Sequence, residues 1–191
     1  MGQSKLQAST DDRWMALPDV LRTWRLVLRP FRTDDAAPIF NRWAQDPEVW
    51  RYLRERPRML LDHTERSVQR AIEGRRQGTA FPWVLGLSTD ELPLGFVGLV
   101  PEGHMAQLSY MLARDAWGRG YATEAARAVV EAALELPRVY RVWAMCDVDN
   151  RASARVLEKV GMEREGTLRR YAVRPNLGPE PRDAHLYARV R

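Results

Sequence analysis

Gly118 and Gly120, in the stretch RDAWGRGYATEA (residues 114–125), stand two residues apart just before a long apolar repeat. With no Cβ, both would let a negatively charged group approach the main chain closely. LSYMLA runs ahead of them as a strand. Behind them Ala122, Ala125, Ala126, Val129, Val130, Ala133 and Leu134 recur at helical spacing on one face. Strand, glycine-rich turn and helix start together aim unpaired N–H groups and the positive end of the helix dipole at an anion. The same glycines also suit a tight turn that needs only their φ freedom. There is no Gly-Lys-Ser/Thr ending, as in a triphosphate loop, and no third glycine, as in the dinucleotide fingerprint. A different pyrophosphate ligand is therefore expected.

A second segment, YRVWAMCDVDNRASARVLEKVGM, reads as a strand, then Asn150 capping a helix, then Gly161 closing it in a left-handed turn. Arg151, Arg155 and Lys159 recur every four residues as a basic stripe, which fits a solvated face.

The elements that must position these residues follow from composition and pattern. The chain has 191 residues, 45% of them hydrophobic, enough for one sizeable core. Thirty basic against 25 acidic residues give a net charge of +5, spread along the chain. That balance fits an anionic ligand, and no nucleic-acid motif accompanies it. One cysteine, Cys146, and three scattered histidines exclude a disulfide framework and a zinc cluster, so no metal is expected. No run of about eighteen apolar residues occurs. The start, MGQSKLQAST, is polar, and Leu6 stands where a myristoylation pattern needs Ser or Thr. A cytoplasmic protein with no membrane partner is expected. Residues 1–20 read as a polar leader and residues 21–191 as one domain, with structure beginning near Trp24. WRLVLRPF reads as the first strand, and DDAAPIFNRWAQ as a helix capped by Thr33 with Pro38 in its first turn. DHTERSVQRAIEGRRQG reads as a charged helix, and FPWVLGLS, LGFVGLV and MAQLSYMLA as three further strands.

Taken in order, WRLVLRPF, WGRGYATEA, NRASARVLEKVGM, EGTLRRYAV and RDAHLYARVR resemble the Gcn5-related N-acetyltransferase (GNAT) superfamily, in particular its RimJ/RimL-like branch of ribosomal-protein alanine acetyltransferases, over roughly residues 24 to 190. The resemblance implies an α/β acyl-CoA N-acyltransferase fold: a mixed, mostly antiparallel sheet splayed in the middle, with helices on both faces. It implies acetyl-CoA as co-substrate. The pyrophosphate would lie on amides of Trp117, Gly118, Arg119, Gly120, Tyr121 and Ala122, and the pantetheine arm would pair with the main chain of Met111 and Leu112. Asn150 would serve as helix cap, as cofactor contact, or as both. Lys159 and its stripe would be solvated or face a 3′-phosphate. Many members place a tyrosine acid where this chain has Leu157, which points to Ser153, or water, for returning a proton to the departing thiolate.

The implied reaction is direct attack of a primary amine on a thioester, and a lone cysteine in an apolar strand reads as core rather than as an acyl carrier. Glu165 is the chosen base among Glu165, Asp183 and Asp147, with a structural pairing to an arginine as its other reading; Glu102 and His104 are candidates for a water chain. Trp43, Trp50 and Tyr52, beside Arg51, Arg54, Arg56 and Arg58, are expected to bind the acceptor, an α-amino group of a protein or peptide N-terminus or a small amine. An amino acid, polyamine or amine antibiotic remains an alternative acceptor, and a non-catalytic acyl-CoA-binding module an alternative function. Monomer and homodimer stay open.

Overall fold

A computed structural model describes residues 12–191. Its eight strands are β1 (Leu21–Arg22), β2 (Leu26–Arg29), β3 (Phe81–Leu87), β4 (Asp90–Glu102), β5 (Met105–Leu112), β6 (Arg141–Asp147), β7 (Glu163–Val173) and β8 (Pro181–Val190). They form one sheet in the order β1-β2-β3-β4-β5-β6-β8-β7. Every neighbouring pair is antiparallel except β5 with β6. The parallel pair needs a long crossover, which α4 (Tyr121–Glu135) provides.

Helices cover both faces. On one, α4 buries Ala125, Ala126, Val129, Val130 and Ala133 and α5 (Arg151–Lys159) buries Leu157, against Leu26, Leu28, Trp83, Val97 and Leu108 of the sheet. On the other, α1 (Ala36–Ile39), α2 (Pro47–Trp50) and α3 (Leu61–Arg76) enclose a second cluster built on Ile39, Trp43, Trp50 and Val68. The α1 segment changes pitch, from a 3-10 turn at Thr33–Asp35 to a π turn at Phe40–Ala44. Pro38 has no N–H to give a preceding carbonyl, and the helix widens two residues later. Thr33 does not cap it with its side chain: the Asp35 carboxylate instead accepts the Arg32 N–H at 2.7 Å and holds the buried Arg29 guanidinium at 2.6 and 2.9 Å.

Two sequence boundaries move. Trp14 is 1% exposed and Leu17 4%, both packed in the first cluster, so the core begins inside the expected leader. Trp14 is further tied by its indole N–H to the Gly103 carbonyl at 3.3 Å. The leader's first eleven residues lie outside the described residues. Trp24, the expected start of structure, is 88% exposed, and its strand begins at Leu26.

Candidate active site

β5 and β6 pair only from Met105 opposite Arg141 to Gln107 opposite Trp143. Beyond that β5 continues to Leu112 and β6 to Asp147, while β6 stays joined to β8 along its whole length. One edge of β5 past Gln107 therefore faces a gap rather than a strand. Asn150 starts α5 at the gap, its side-chain oxygen accepting the Ser153 N–H at 3.1 Å. That places Ser153 in the first helical turn, where its Oγ lies 2.8 Å from the Tyr110 hydroxyl; the Tyr110 hydroxyl also donates to the Ser153 carbonyl at 3.1 Å.

Burial drives the Tyr110 phenol well above its ordinary range, against the opposing effect of Ser153. The Cys146 thiol adjoins Ser153 and is pushed up to about 11, chiefly by burial and then by the neighbouring Asp147 charge. It is a buried thiol, not an ionised nucleophile. Tyr110 is absent from the sequence-derived site because a tyrosine in LSYMLA reads as an ordinary strand former. Its alternation with Ala106, Leu108 and Leu112 puts it on the α4 and α5 face, and a polar tip on that apolar face was the available signal.

Gly118 and Gly120 have φ of +74° and +80°, and α4 begins directly after them. A Cβ at Gly118 would meet open space. The N–H groups at the start of α4 have no intrahelical acceptor, so they point out of the helix end. Trp117 differs from expectation: its N–H is taken by the Arg114 carbonyl at 3.2 Å and its indole by the Leu112 carbonyl at 2.9 Å, so it braces the loop. The same indole occupies one of the two main-chain carbonyls expected for the pantetheine. Met111 packs on the second cluster, Leu112 on the first. Tyr121 and Ala122 are half-buried against the core, and Arg119 is exposed.

Arg25 was not singled out in the sequence. Its guanidinium lies over the Tyr121 ring at 4.7 Å, donates to the Arg119 carbonyl at 2.9 Å and pairs with Glu124 at 2.7 Å. Glu124 also accepts from Thr23 Oγ1 at 2.6 Å and the Arg25 N–H at 2.9 Å. Burial works to raise the Glu124 pKa, and these partners outweigh it and hold the carboxyl below the usual range. The turn before β2 is thereby fastened to the glycine loop.

The acceptor-side expectations divide. Tyr52 is brought to the gap, its hydroxyl 3.4 Å from the Asp149 carbonyl just ahead of α5. Trp43 and Trp50 are core residues, 3% and 7% exposed, joined through the Trp50 indole and the Trp43 carbonyl. The aromatic pattern cannot say which rings turn inward, and these two do. Glu165 is not brought to the gap. It is ion-paired with Arg141, at the end of β6 that is still joined to β5, and that pairing lowers its pKa. Glu102 and His104 lie in the β4–β5 hairpin at this closed end as well. Asp147 is buried and held by Arg182 at 2.8 and 3.0 Å, and Asp183 accepts the Arg170 N–H at 2.8 Å. Among the described residues, no group of three metal-ligating side chains occurs and no helix is long and apolar enough to cross a membrane.

A glycine-opened helix end and a hydroxyl pair, set on a sheet that opens between its two parallel strands, are the architecture of an acyltransferase. The chain belongs to the acetyltransferase (GNAT) domain family, which it matches over residues 25–163. It is 29% identical over 175 residues to the uncharacterized N-acetyltransferase YoaA of Bacillus subtilis (strain 168), covering 90% of this chain and 97% of that one. Two solved structures share the fold. Microcin C7 self immunity acetyltransferase MccE, solved in complex with acetyl-CoA and AMP, has a TM-score of 0.82 at 17% identity, over 93% of this chain and 99% of that one. RimL, the ribosomal L7/L12 alpha-N-protein acetyltransferase solved with coenzyme A, has a TM-score of 0.79 at 19% identity, over 91% and 97%.

Proposed function

We propose that the protein transfers an acetyl group from acetyl-CoA directly to a primary amine, the α-amino group of a protein or peptide N-terminus or of a small amine. The observation that carries this reading is the Tyr110–Ser153 hydroxyl pair in the gap between β5 and β6. Family membership and the acetyl-CoA named for MccE support it.

The residues present fit acetyl-CoA. Open space at Gly118 and the free amides at the start of α4 suit a pyrophosphate, with Arg119 free to swing a charge toward it. The uncovered edge of β5 past Gln107 suits an extended amide-bearing arm, although the Met111 carbonyl itself lies against Gly95 of β4. Asn150 caps α5 through its oxygen, which leaves its Nδ2 as a donor for the cofactor. When bound, acetyl-CoA supplies the thioester carbonyl that the amine attacks and the sulfur that leaves.

Ser153 Oγ would give its proton to that sulfur and regain one from the water that carries off the amine's proton, while Tyr110, kept protonated by burial, holds Ser153 by its hydroxyl and carbonyl. With Glu165, Asp147 and Asp183 each held by other partners, water would take the proton of the acceptor ammonium, and the neutral amine then attacks. Tyr52 lines the amine's side of the gap.

The test is a calorimetric titration with acetyl-CoA, followed by thiol release against peptides and small amines. Binding with amine-dependent release is the expected result. Binding with no release from any amine points to a non-catalytic acyl-CoA-binding module, and absence of binding overturns the reading.

A further inference from the structure

We propose that Arg174, assisted by Arg54, binds a carboxylate carried by the acceptor, so that the preferred substrates are amines with an acidic group close to the reacting nitrogen. This rests on the acetyltransferase reading above and specifies its substrate class.

Arg174 follows β7 and is 8% exposed. Its Nε is buried without a hydrogen-bond partner, and the nearest carboxylate oxygen, on Asp147, is 4.0 Å away. That carboxylate is already engaged by two bonds from Arg182 and by the Asp149 N–H at 3.0 Å. Arg182 also pairs with Asp149. Arg54 lies over the Tyr171 ring at 5.2 Å and is near enough to repel Arg174. Arg182 thus takes both Asp147 and Asp149, and Arg174, with Arg54 as a like charge beside it, is left with only the distant Asp147 oxygen. A buried guanidinium without an acceptor carries a desolvation cost that a bound anion would offset. Burial, and then Arg54, accordingly lower its pKa.

The location fits an acceptor subsite. Arg174 acts electrostatically on Cys146, whose thiol adjoins Ser153. Asn176, two residues on, donates to the carbonyls of Trp50 at 2.7 Å and Glu55 at 2.8 Å, and Tyr52 reaches Asp149. The segment carrying Tyr52 and Arg54 is thereby tied to the stretch that follows Arg174 and to the residue just ahead of α5. A carboxylate is favoured because the planar guanidinium fork receives it in two parallel bonds. An α-amino acid's own carboxylate and an acidic side chain next to a peptide N-terminus both present that chemistry.

The experiment measures kcat and KM for matched acceptor pairs, free α-amino acids against their amides and peptides with Glu against Gln at the second position, in the wild type, Arg174→Gln and Arg174→Lys. The wild type should prefer the carboxylate member of at least one pair by about tenfold or more in kcat/KM, through KM. Arg174→Gln should erase that preference with kcat little changed, and Arg174→Lys should restore part of it. The pair that responds names the source of the carboxylate. Thermal melting of Arg174→Gln should show only a small loss of stability, because Asp147 keeps both bonds from Arg182, whereas loss of an arginine with only a structural role would lower it strongly. Turnover without a charge preference, or a preference that survives Arg174→Gln, overturns the inference while leaving the acetyltransferase reading intact. Acetyl-CoA binding with no turnover of any carboxylate-bearing amine overturns it too, and absence of acetyl-CoA binding overturns both.

Discussion

Tyr110 Oη stands 2.8 Å from Ser153 Oγ across the line where β5 leaves β6, so a strand and a helix that are otherwise separate there meet through two hydroxyls. On the proposed mechanism Ser153 would protonate the leaving thiolate where Leu157 stands in place of a tyrosine on α5, and the phenol that holds Ser153 comes from the facing strand. Ser153→Ala should lower kcat by about a hundredfold and leave acetyl-CoA affinity unchanged. Tyr110→Phe should do less, since water can reload Ser153. Because burial raises the Tyr110 pKa, the phenol stays protonated through the neutral and mildly alkaline range, and no loss of activity should trace to it there. Initial rates from pH 6 to 9 on the three proteins check both statements, and a fully active Ser153→Ala would pass the acid's role to water.

Gly120→Val tests the loop. At φ +80° an L residue is strained, by about 1 to 2 kcal/mol, and its Cβ would press on the Arg25 guanidinium at 3.4 Å. Gly120 is the N-cap of α4 and lies outside the body of the helix, so the circular dichroism spectrum should be largely preserved while calorimetry shows acetyl-CoA binding lost. Unchanged affinity would reduce the glycines to a turn.

What the sequence made legible was whatever depended on local period. The apolar face of α4, the Asn150 cap and the Gly161 turn of α5, and the glycine pair all lie within a few residues of the pattern that reveals them, and each is found in place. What stayed hidden depended on partners far along the chain. Arg141 and Glu165 are 24 residues apart, and nothing local to Glu165 says that its carboxylate is taken. Trp43 and Trp50 sit in an arginine-rich stretch that looks exposed, yet their rings turn into a core shared with α3. Trp14 has polar sequence before it and still finds Gly103, 89 residues away. Arg25 gains its meaning only from Glu124.

That Arg25–Glu124 pair yields a double-variant experiment. A carboxylate in the first turn of α4 would repel a phosphate at the same helix end, and Arg25 neutralises it while holding the Arg119 carbonyl. Arg25→Met should therefore weaken acetyl-CoA binding by about tenfold, both by loosening the loop and by uncovering the Glu124 charge. Glu124→Gln added to it should recover part of that affinity. The direct effect on stability should be small, about 1 kcal/mol, because Arg25 is about a third exposed and solvent screens the pair. Binding that falls further in the double variant would rule out the charge argument.

Asp147 gives the clearest dependence of stability on pH. Its side chain is fully buried. Burial pushes its pKa up, and the bonds from Arg182, the Asp149 N–H and the charges of Arg182 and Arg174 more than reverse this, so its pKa in the folded protein lies below the unfolded value near 3.8. The unfolded chain then binds the proton first as pH falls. The stabilisation is complete above about pH 4 and drains away as pH drops from there through the depressed folded value. Asp147→Asn should cost about 3 kcal/mol at pH 7 by leaving Arg182 and its buried surroundings without the charge, and should flatten the fall of stability below pH 4. Glu124 and Glu165, shifted in the same direction, remain in that variant, so the acid slope should shrink without vanishing. Urea unfolding of both proteins between pH 3 and 7 measures this directly. Parallel curves displaced by a constant amount would show that the Asp147 proton is not coupled to folding, and that the Arg182 contact holds the end of β6 to β8 by shape rather than by charge.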